Sequence, residues 1–395
     1  MTVPTPAGRS SREPSQESFR EQVHLAARFP DADGTTVRAD PRSRSRTGLA
    51  SFERLAHTAE RGLFDFLLLP EGARLPEPVT VLNALAAVTE RLGLAATVDT
   101  TFNEPFELAR RLATLDHVSA GRAAWNVAVS DASLAGENFR RGDRPDHGDR
   151  GDRPDRGGLA HSRLRPTGGT ETPLARAAEF VQVSRELWDS WTPDGIARPF
   201  AHRGRHFDIA GEFTVPRSPQ GHPVVIRAGD SSEGREFAAS TAEVIFTRHG
   251  TLEAGREFYA DVKGRLAGYG RDHEDLKIMP EVAFVLGDTA AEARERAAEI
   301  RRTQEDPPSG PTANEEPGRR SFVGTPESVA AEIDESVRTG AADGFLLVPH
   351  PTPGGLDEFV DRVVPLLQER GLFRTEYTGT TLRSHLGLQE PVWKG

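Results

Sequence analysis

Short apolar runs alternate with longer amphipathic stretches along almost the whole chain, and this alternation constrains the fold more than any other feature. QVHLAAR (22–28), LFDFLLLP (63–70), LGLAATV (92–98), AAWNVAV (123–129), PVVIRAG (223–229), EVIFTR (243–248), LKIMPEVAFVL (276–286) and DGFLLVP (343–349) read as strands. Each is almost continuously apolar, the pattern of a parallel strand covered on both faces. Helical stretches fall at about 50–62, 78–91, 105–119, 173–192, 251–268, 325–339 and 355–370, and one more starts after Ser231 and Ser232. In the first, Leu55, Ala56 and Ala59 share one face. Eight strands and eight helices in alternation predict an α/β protein, a (β/α)8 TIM barrel. A doubly wound open sheet shares the alternation, but no GxGxxG follows the first strand.

Two segments break the pattern. Residues 138–172 are rich in Gly, Asp, Arg and Pro, carry GDRPD at both 142–146 and 151–155, and are nearly without apolar residues. DPPSGPTANEEPGRR (306–320) is similar. Neither has the apolar surface to support a core, so both are expected as loose insertions, one after the fourth strand and one before the seventh helix. The polar leader 1–20 is expected to be disordered, with a single barrel domain over 21–390. HRGRHFDIAGEF (202–213) is expected as a small hairpin, and the tail to 395 is expected to pack on the outside.

Composition then narrows the function. The chain has 395 residues, no cysteine, and 60 acidic against 49 basic side chains, for a formal charge of −11. Thiolate chemistry and disulfides are excluded. An acidic surface without a basic, aromatic-interleaved stripe argues against nucleic-acid and anionic-membrane partners. No apolar run is long enough for a membrane helix, and the first residues lack the apolar stretch of a secretion signal, so a cytoplasmic location is expected.

In a barrel of this kind functional groups stand at the carboxyl ends of the strands. That rule selects His24, Arg28, Glu71, Thr97, Asp99, Thr100, Thr101, Asn126, Ser130, Asp230, Ser231, Ser232, Arg248, His249, Glu281 and His350. Ser231 and Ser232 open a helix directly after Ala228-Gly229, so they read either as an anion site at a helix N-terminus or as simple capping. Asn126, inside an apolar strand, must bond either a ligand or a neighbouring backbone group. Glu71 reads as a ligand contact or a surface ion pair. His202 and His206 lie in the expected hairpin rather than on a helix, so zinc ligation is not expected. No GxSxG, P-loop or HExxH is present. The residues alone describe a barrel with a polar mouth and one candidate anion site, and they name no reaction.

Three longer segments carry a family likeness: NEPFELARRLATLDHVSAGRAAWNVAVS (103–130), HFDIAGEFTVPRSPQGHPVVIRAGDSSEGREFAASTAEVIFT (206–247) and DEFVDRVVPLLQERGLFRTEYTGTTLRSHLGL (357–388). They resemble the nitrilotriacetate and dibenzothiophene-sulfone monooxygenase branch of the bacterial luciferase-like superfamily. The resemblance covers most of 50–388. It implies a two-component, FMN-dependent monooxygenase that takes reduced FMN from a separate flavin reductase and uses O2 to oxygenate a small organic molecule. It also implies a homodimer, and it fits the absence of a nicotinamide fingerprint. Ser231 matches the flavin-phosphate serine, with Ser232 beside it. Asn126 and Ser130 match the isoalloxazine-side segment, and Thr97 and Thr100 match Thr/Ser positions after the third strand. Glu71 stands where the family often has Asp, and Thr170 and Leu174 stand where it has a His and a Tyr. These departures leave an alternative open: a degenerate barrel with weak or lost flavin binding, serving as a flavin-independent enzyme or a small-molecule binding protein.

Overall fold

The computed structural model describes residues 22–29, 48–72, 75–129, 173–304, 320–349 and 355–394. The expected leader, the insertion at 138–172 and residues 306–319 of the second insertion lie outside the described residues.

Eight strands close into a parallel barrel. In chain order they are β1 (His24–Arg28), β2 (Phe66–Leu69), β3 (Gly93–Asp99), β4 (Ala123–Ala128), β7 (Val224–Ala228), β8 (Val244–Thr247), β9 (Lys277–Leu286) and β11 (Gly344–Val348). Their order round the ring is the chain order, and β1 pairs with β11 to complete it. The closed barrel expected from the eight apolar runs is the observed fold. The remaining strands lie outside the ring: β5 (Phe200–Arg203) and β6 (Asp208–Gly211) form the expected antiparallel hairpin.

Alternation along each strand divides two cores. Leu25, Leu67, Leu94, Trp125, Val225, Ile245, Ile278 and Leu347 point outward into one cluster with the helices. Ala26, Phe66, Leu68, Ala95, Ala124, Ile226, Phe246, Met279 and Leu346 point inward into a second. That inner cluster also contains Leu382, Leu386 and Leu388. Residues 382–388 of the tail therefore do not pack on the outside as expected, whereas Trp393 beyond them does, against Asp189 and Arg198. The barrel interior is lined by small residues on several strands, and the short helix α11 (Leu382–His385) helps to fill the space they leave at the amino end. Gly93 shows how close the approach is: a Cβ there would lie 2.6 Å from Leu382 Cδ1 and 2.6 Å from the Asp65 carbonyl oxygen.

Buried carboxylates organise the same amino end. Asp65, Glu243 and Asp343 directly precede β2, β8 and β11, and each accepts an N–H from the neighbouring strand: Leu25 at 2.8 Å, Val225 at 2.8 Å and Ile278 at 2.6 Å. Each is also paired with a cation, namely Arg374, Arg383 and Lys263. Burial would raise the Asp65 carboxyl, but Arg374 and His24 outweigh it and hold it down to about 2. Glu243 is likewise held at about 2, where Arg383 and Arg185 outweigh burial.

The helices follow the sequence expectation with three differences. Residues 78–91 were expected as one helix, but α2 ends early (Pro78–Ala86). The buried Arg122 guanidinium collects the carbonyls of Ala86, Thr89 and Leu92 at 3.2, 2.9 and 2.7 Å, which draws the chain out of the helix. The last expected helix is broken into α9 (Gly355–Arg362) and α10 (Val364–Glu369), because Pro365 cannot continue the ladder. The third difference is an addition. A helix α7 (Ala290–Gln304) and a strand β10 (Ser321–Gly324) flank the second insertion, and β10 pairs with the upper half of β9. The sequence AAEARERAAEIRRTQ carries only a weak apolar stripe, Ala290, Ala293, Ala297 and Ile300, three of its four members being alanine. Among the described residues no helix is long and apolar enough to cross a membrane.

Candidate active site

The inward positions at the carboxyl ends of the strands are polar. Two residues beyond the inner core members Ala26, Ala95, Ala124, Phe246 and Met279 stand Arg28, Thr97, Asn126, Arg248 and Glu281. These side chains form two walls of one mouth. On the first wall, Arg28 Nη1 donates to Glu281 Oε1 at 2.7 Å and Arg248 Nε donates to Glu281 Oε2 at 3.2 Å. On the second, Asn126 Nδ2 donates to Thr97 Oγ1 at 3.1 Å. The ring order places β3 four strands from β9, so the two walls face each other across the barrel.

Asn126 has only half of its amide satisfied. Its Oδ1 is buried and meets no hydrogen-bond partner among the described residues. An orphaned acceptor at a barrel mouth costs free energy unless a ligand donates to it.

Between the walls, the turn from β7 leads into helix α5 (Ser232–Thr241). Ser231 is its N-cap, and its Oγ accepts from Gly234 N at 3.0 Å. The capping reading is therefore correct as geometry, and it does not compete with the anion reading. The hydroxyl hydrogen is not used in that bond and is available to an oxyanion, alongside the N–H groups of the first turn. Ser231 and Ser232 are both exposed at this rim. Asp230 stiffens the turn by accepting from Thr247 Oγ1 at 2.5 Å and from Arg248 N at 3.0 Å.

The other expected positions divide. Glu71 Oε2 accepts from Asp99 N at 3.0 Å, so it bonds the end of β3 rather than forming the surface ion pair considered above. Partial desolvation by its neighbours, with the Asp99 charge beside it, raises its carboxyl above the usual range although the residue is exposed at the rim. Asp99 Oδ1 caps the following turn through Thr101 N and Phe102 N. Thr100 is 1% exposed and donates its hydroxyl to Ala128 O at 3.2 Å, tying the ends of β3 and β4 together instead of facing the mouth. Leu174, in the first turn of α4 (Pro173–Asp189), packs against the outer core. Burial, and then the charge of Arg320, lower the pKa of His249. In the hairpin, His202 is held between Glu186 at 2.8 Å and Glu179 at 3.4 Å, which accounts for its position. Ser130, Thr170 and His350 lie outside the described residues. The rule of strand ends found Arg28, Arg248 and Glu281 singly. Their joining into one array had no signal in the sequence, because they come from three different strand ends.

As chemistry, the mouth offers an anion seat at Ser231, an unsatisfied amide acceptor at Asn126 and a basic wall opposite. A ligand with a phosphate at one end and ring N–H donors at the other suits the first two, which is the chemistry of reduced FMN. The donor set present therefore fits that group.

Comparison with known proteins bears out the resemblance. The family described as luciferase-like monooxygenase matches residues 34–343. N-acetyl-S-(2-succino)cysteine monooxygenase of Bacillus subtilis (strain 168) is 35% identical, over 93% of this chain and 95% of its own length. Nitrilotriacetate monooxygenase component A of Aminobacter aminovorans is 37% identical, over 87% of this chain and 85% of its own. Among solved structures, a long-chain alkane monooxygenase superposes with a TM-score of 0.74 at 26% identity, covering 93% of this chain and 95% of that one.

Proposed function

The chain belongs to the luciferase-like monooxygenase family, and on that premise we propose that it is an FMNH2-dependent monooxygenase. It takes reduced FMN from a separate flavin reductase, places one atom of O2 in a small organic substrate and releases the other as water. A homodimer is part of the same reading. The observation that carries it is the orphaned Asn126 Oδ1 on the same mouth as the open N-terminus of α5.

Reduced flavin supplies the two electrons that activate O2. The chain's own residues bind and orient. Ser231, Ser232 and the first-turn N–H groups would hold the phosphate. Asn126 and Thr97 would hold the polar edge of the ring system, and Glu71, bonded to the end of β3, supports that rim. Thr100 acts one step back by fixing the β3–β4 ends. His249 packs beside α6 (Leu252–Leu266), against Phe258, and its pKa is lowered there by burial.

Leu174 favours the second reading, a barrel that has lost its flavin, since an apolar side chain packed on the outer core brings no phenol to the site. Anaerobic titration of the pure protein with reduced and oxidised FMN separates the two. Reduced FMN binds on the monooxygenase reading. Failure of both forms to bind removes that reading and leaves the degenerate barrel. The monooxygenase should also oxidise no NADH with FMN alone, and should consume O2 only when a reductase is added. The named substrates of the relatives range from polycarboxylates to an alkane, so membership in the family does not choose between charged and neutral substrates.

A further inference from the structure

His202 stands on the buried face of β5, with Phe200 two residues before it, while Ala201 and Arg203 face solvent. It is 8% exposed. Its Nδ1 lies 2.8 Å from Glu186 Oε2, and its Nε2 lies 3.4 Å from Glu179 Oε1. Both glutamates belong to α4. A carboxylate can only accept, so both ring nitrogens must carry hydrogen for both contacts to hold, and the ring is then an imidazolium. A neutral ring carries one hydrogen, and its bare nitrogen would turn a lone pair on a carboxylate.

Glu179 does more than face the imidazole. It accepts the backbone N–H of His206 at 2.9 Å and that of Phe207 at 2.8 Å, so the turn joining β5 to β6 is wrapped around it. Gly204 closes that turn directly over the pair: a Cβ there would clash with Glu179 Oε1 and His202 Nε2. Gln182 Nε2 donates to Glu186 Oε1 at 2.8 Å and steadies the second carboxylate. The titratable and charged side chains around His202 are Glu179 and Glu186 from α4 and, on the hairpin itself, Arg203, Arg205, His206 and Asp208. Arg203 and Asp208 pair with each other at 3.9 Å on the solvent side, and Arg205 is exposed. Burial pulls the His202 imidazole down, but its bonds to Glu186 and Glu179 outweigh burial and leave it above the ordinary value of 6.5. Phe207 lies beneath the Arg176 guanidinium at 4.8 Å, and Arg176 Nη1 donates to Thr100 O at 2.5 Å, so a single guanidinium joins the turn to the end of β3.

We propose that His202 is a proton-operated clasp: protonated, it binds the β5–β6 hairpin to Glu179 and Glu186 of α4, and on losing its proton it lets the turn at 204–207 come loose. The clasp is complete below the ordinary imidazole value and is lost as pH rises through the higher value of the folded protein. Phe200 and Phe207, both buried, do not titrate and keep the hairpin seated. The hairpin therefore loosens without unfolding, and the barrel beneath it is untouched. The clasp is a property of the hairpin and α4, and it holds whether or not the barrel binds flavin.

Hydrogen exchange of the full-length protein, read by mass spectrometry and corrected for the intrinsic pH dependence of exchange, tests the clasp. Peptides covering 204–207 should lose protection by at least about tenfold between pH 6 and pH 9, while β3 and β4 keep theirs. His202→Gln should give low protection at both pH values and a flat profile. Glu186→Gln leaves one carboxylate against the ring, so loosening should begin at a lower pH than in the wild type. His206→Gln should keep the wild-type profile. Thermal melts should show all three variants folded; if His202→Gln does not fold, the shift in Glu186→Gln decides. A flat wild-type profile overturns the proposal, as does a profile left unchanged by His202→Gln or by Glu186→Gln. A profile flattened by His206→Gln overturns it too, because the titrating group would then be His206.

Discussion

Arg374 donates from Nη2 to the carboxylate of Asp65, 309 residues earlier in the chain. The same carboxylate accepts the Leu25 N–H through its other oxygen. One buried group thus joins the C-terminal tail, the entry to β2 and the start of β1. Arg383 and Glu243 repeat the arrangement at the entry to β8. Both pairs lie at the amino end of the barrel, where side chains support stability rather than chemistry.

Asp65→Asn should destabilise the protein by about 3–5 kcal/mol at neutral pH, because it leaves Arg374 buried without its counter-charge. The pH dependence follows from the same groups. Asp65 and Glu243 are both held at about 2, below their ordinary values near 4. Their contribution is complete above the ordinary values and is lost as pH falls toward 2, at about 2–3 kcal/mol each. Urea unfolding at pH 7 and pH 3 should show a smaller acid loss in Asp65→Asn than in the wild type. An identical acid loss in the two proteins would remove Asp65 from the account.

Leu382 is fully buried in the inner core, whereas Val392, ten residues on, is 78% exposed. Leu382→Ala should cost about 2–5 kcal/mol, the range for a buried leucine with a cavity left behind. Val392→Ala should stay within about 0.5 kcal/mol. Denaturant melts of both variants check whether the tail is part of the barrel core; a cost for Leu382→Ala no larger than for Val392→Ala would contradict it.

Ser231 has two jobs that substitution can separate. Ser231→Ala should weaken reduced FMN about tenfold, equivalent to about 1.4 kcal/mol, and leave riboflavin unchanged. It should also cost about 1 kcal/mol of stability through the lost cap to Gly234 N. Ser231→Asp keeps a capping oxygen but sets a negative charge against the phosphate. It should melt no lower than the wild type and bind FMN more weakly than the alanine variant. Anaerobic flavin titration beside thermal melts decides; equal FMN affinity in all three proteins would take Ser231 out of the site.

Asn126→Leu tests whether the orphaned amide oxygen is kept for a ligand. Removing a buried unsatisfied acceptor should leave the ligand-free protein as stable as the wild type or slightly more so. Reduced-FMN affinity should fall at least tenfold. A variant that melts much lower while binding flavin normally would make Asn126 a structural residue.

The barrel was legible because each of its eight strands is a local apolar run, and each expected helix except the second and the last ran close to its periodic stretch. The Ser231 cap was legible for the same reason, since AGDSSEGRE sets strand end, cap and first turn within nine consecutive residues. α7 escaped because its apolar face is almost all alanine, Ala290, Ala293 and Ala297 with Ile300, and stands out little from the charged residues around it.

Alternation along a strand tells which residues share a face, and so it placed Arg28, Arg248 and Glu281 among the candidates. It cannot tell which of them meet. Arg28 and Glu281 are 253 residues apart and come together only because β9, β11 and β1 are neighbours in a closed ring. The same closure sets Asn126 opposite that array, turns the Thr100 hydroxyl to Ala128, and leaves an interior that the tail enters. Periodicity, capping and turn preference act over a few residues and are written in the sequence. Which charged groups share a carboxylate, which amide stays unpaired and which apolar segment fills the barrel depend on contacts that exist only once the ring has closed.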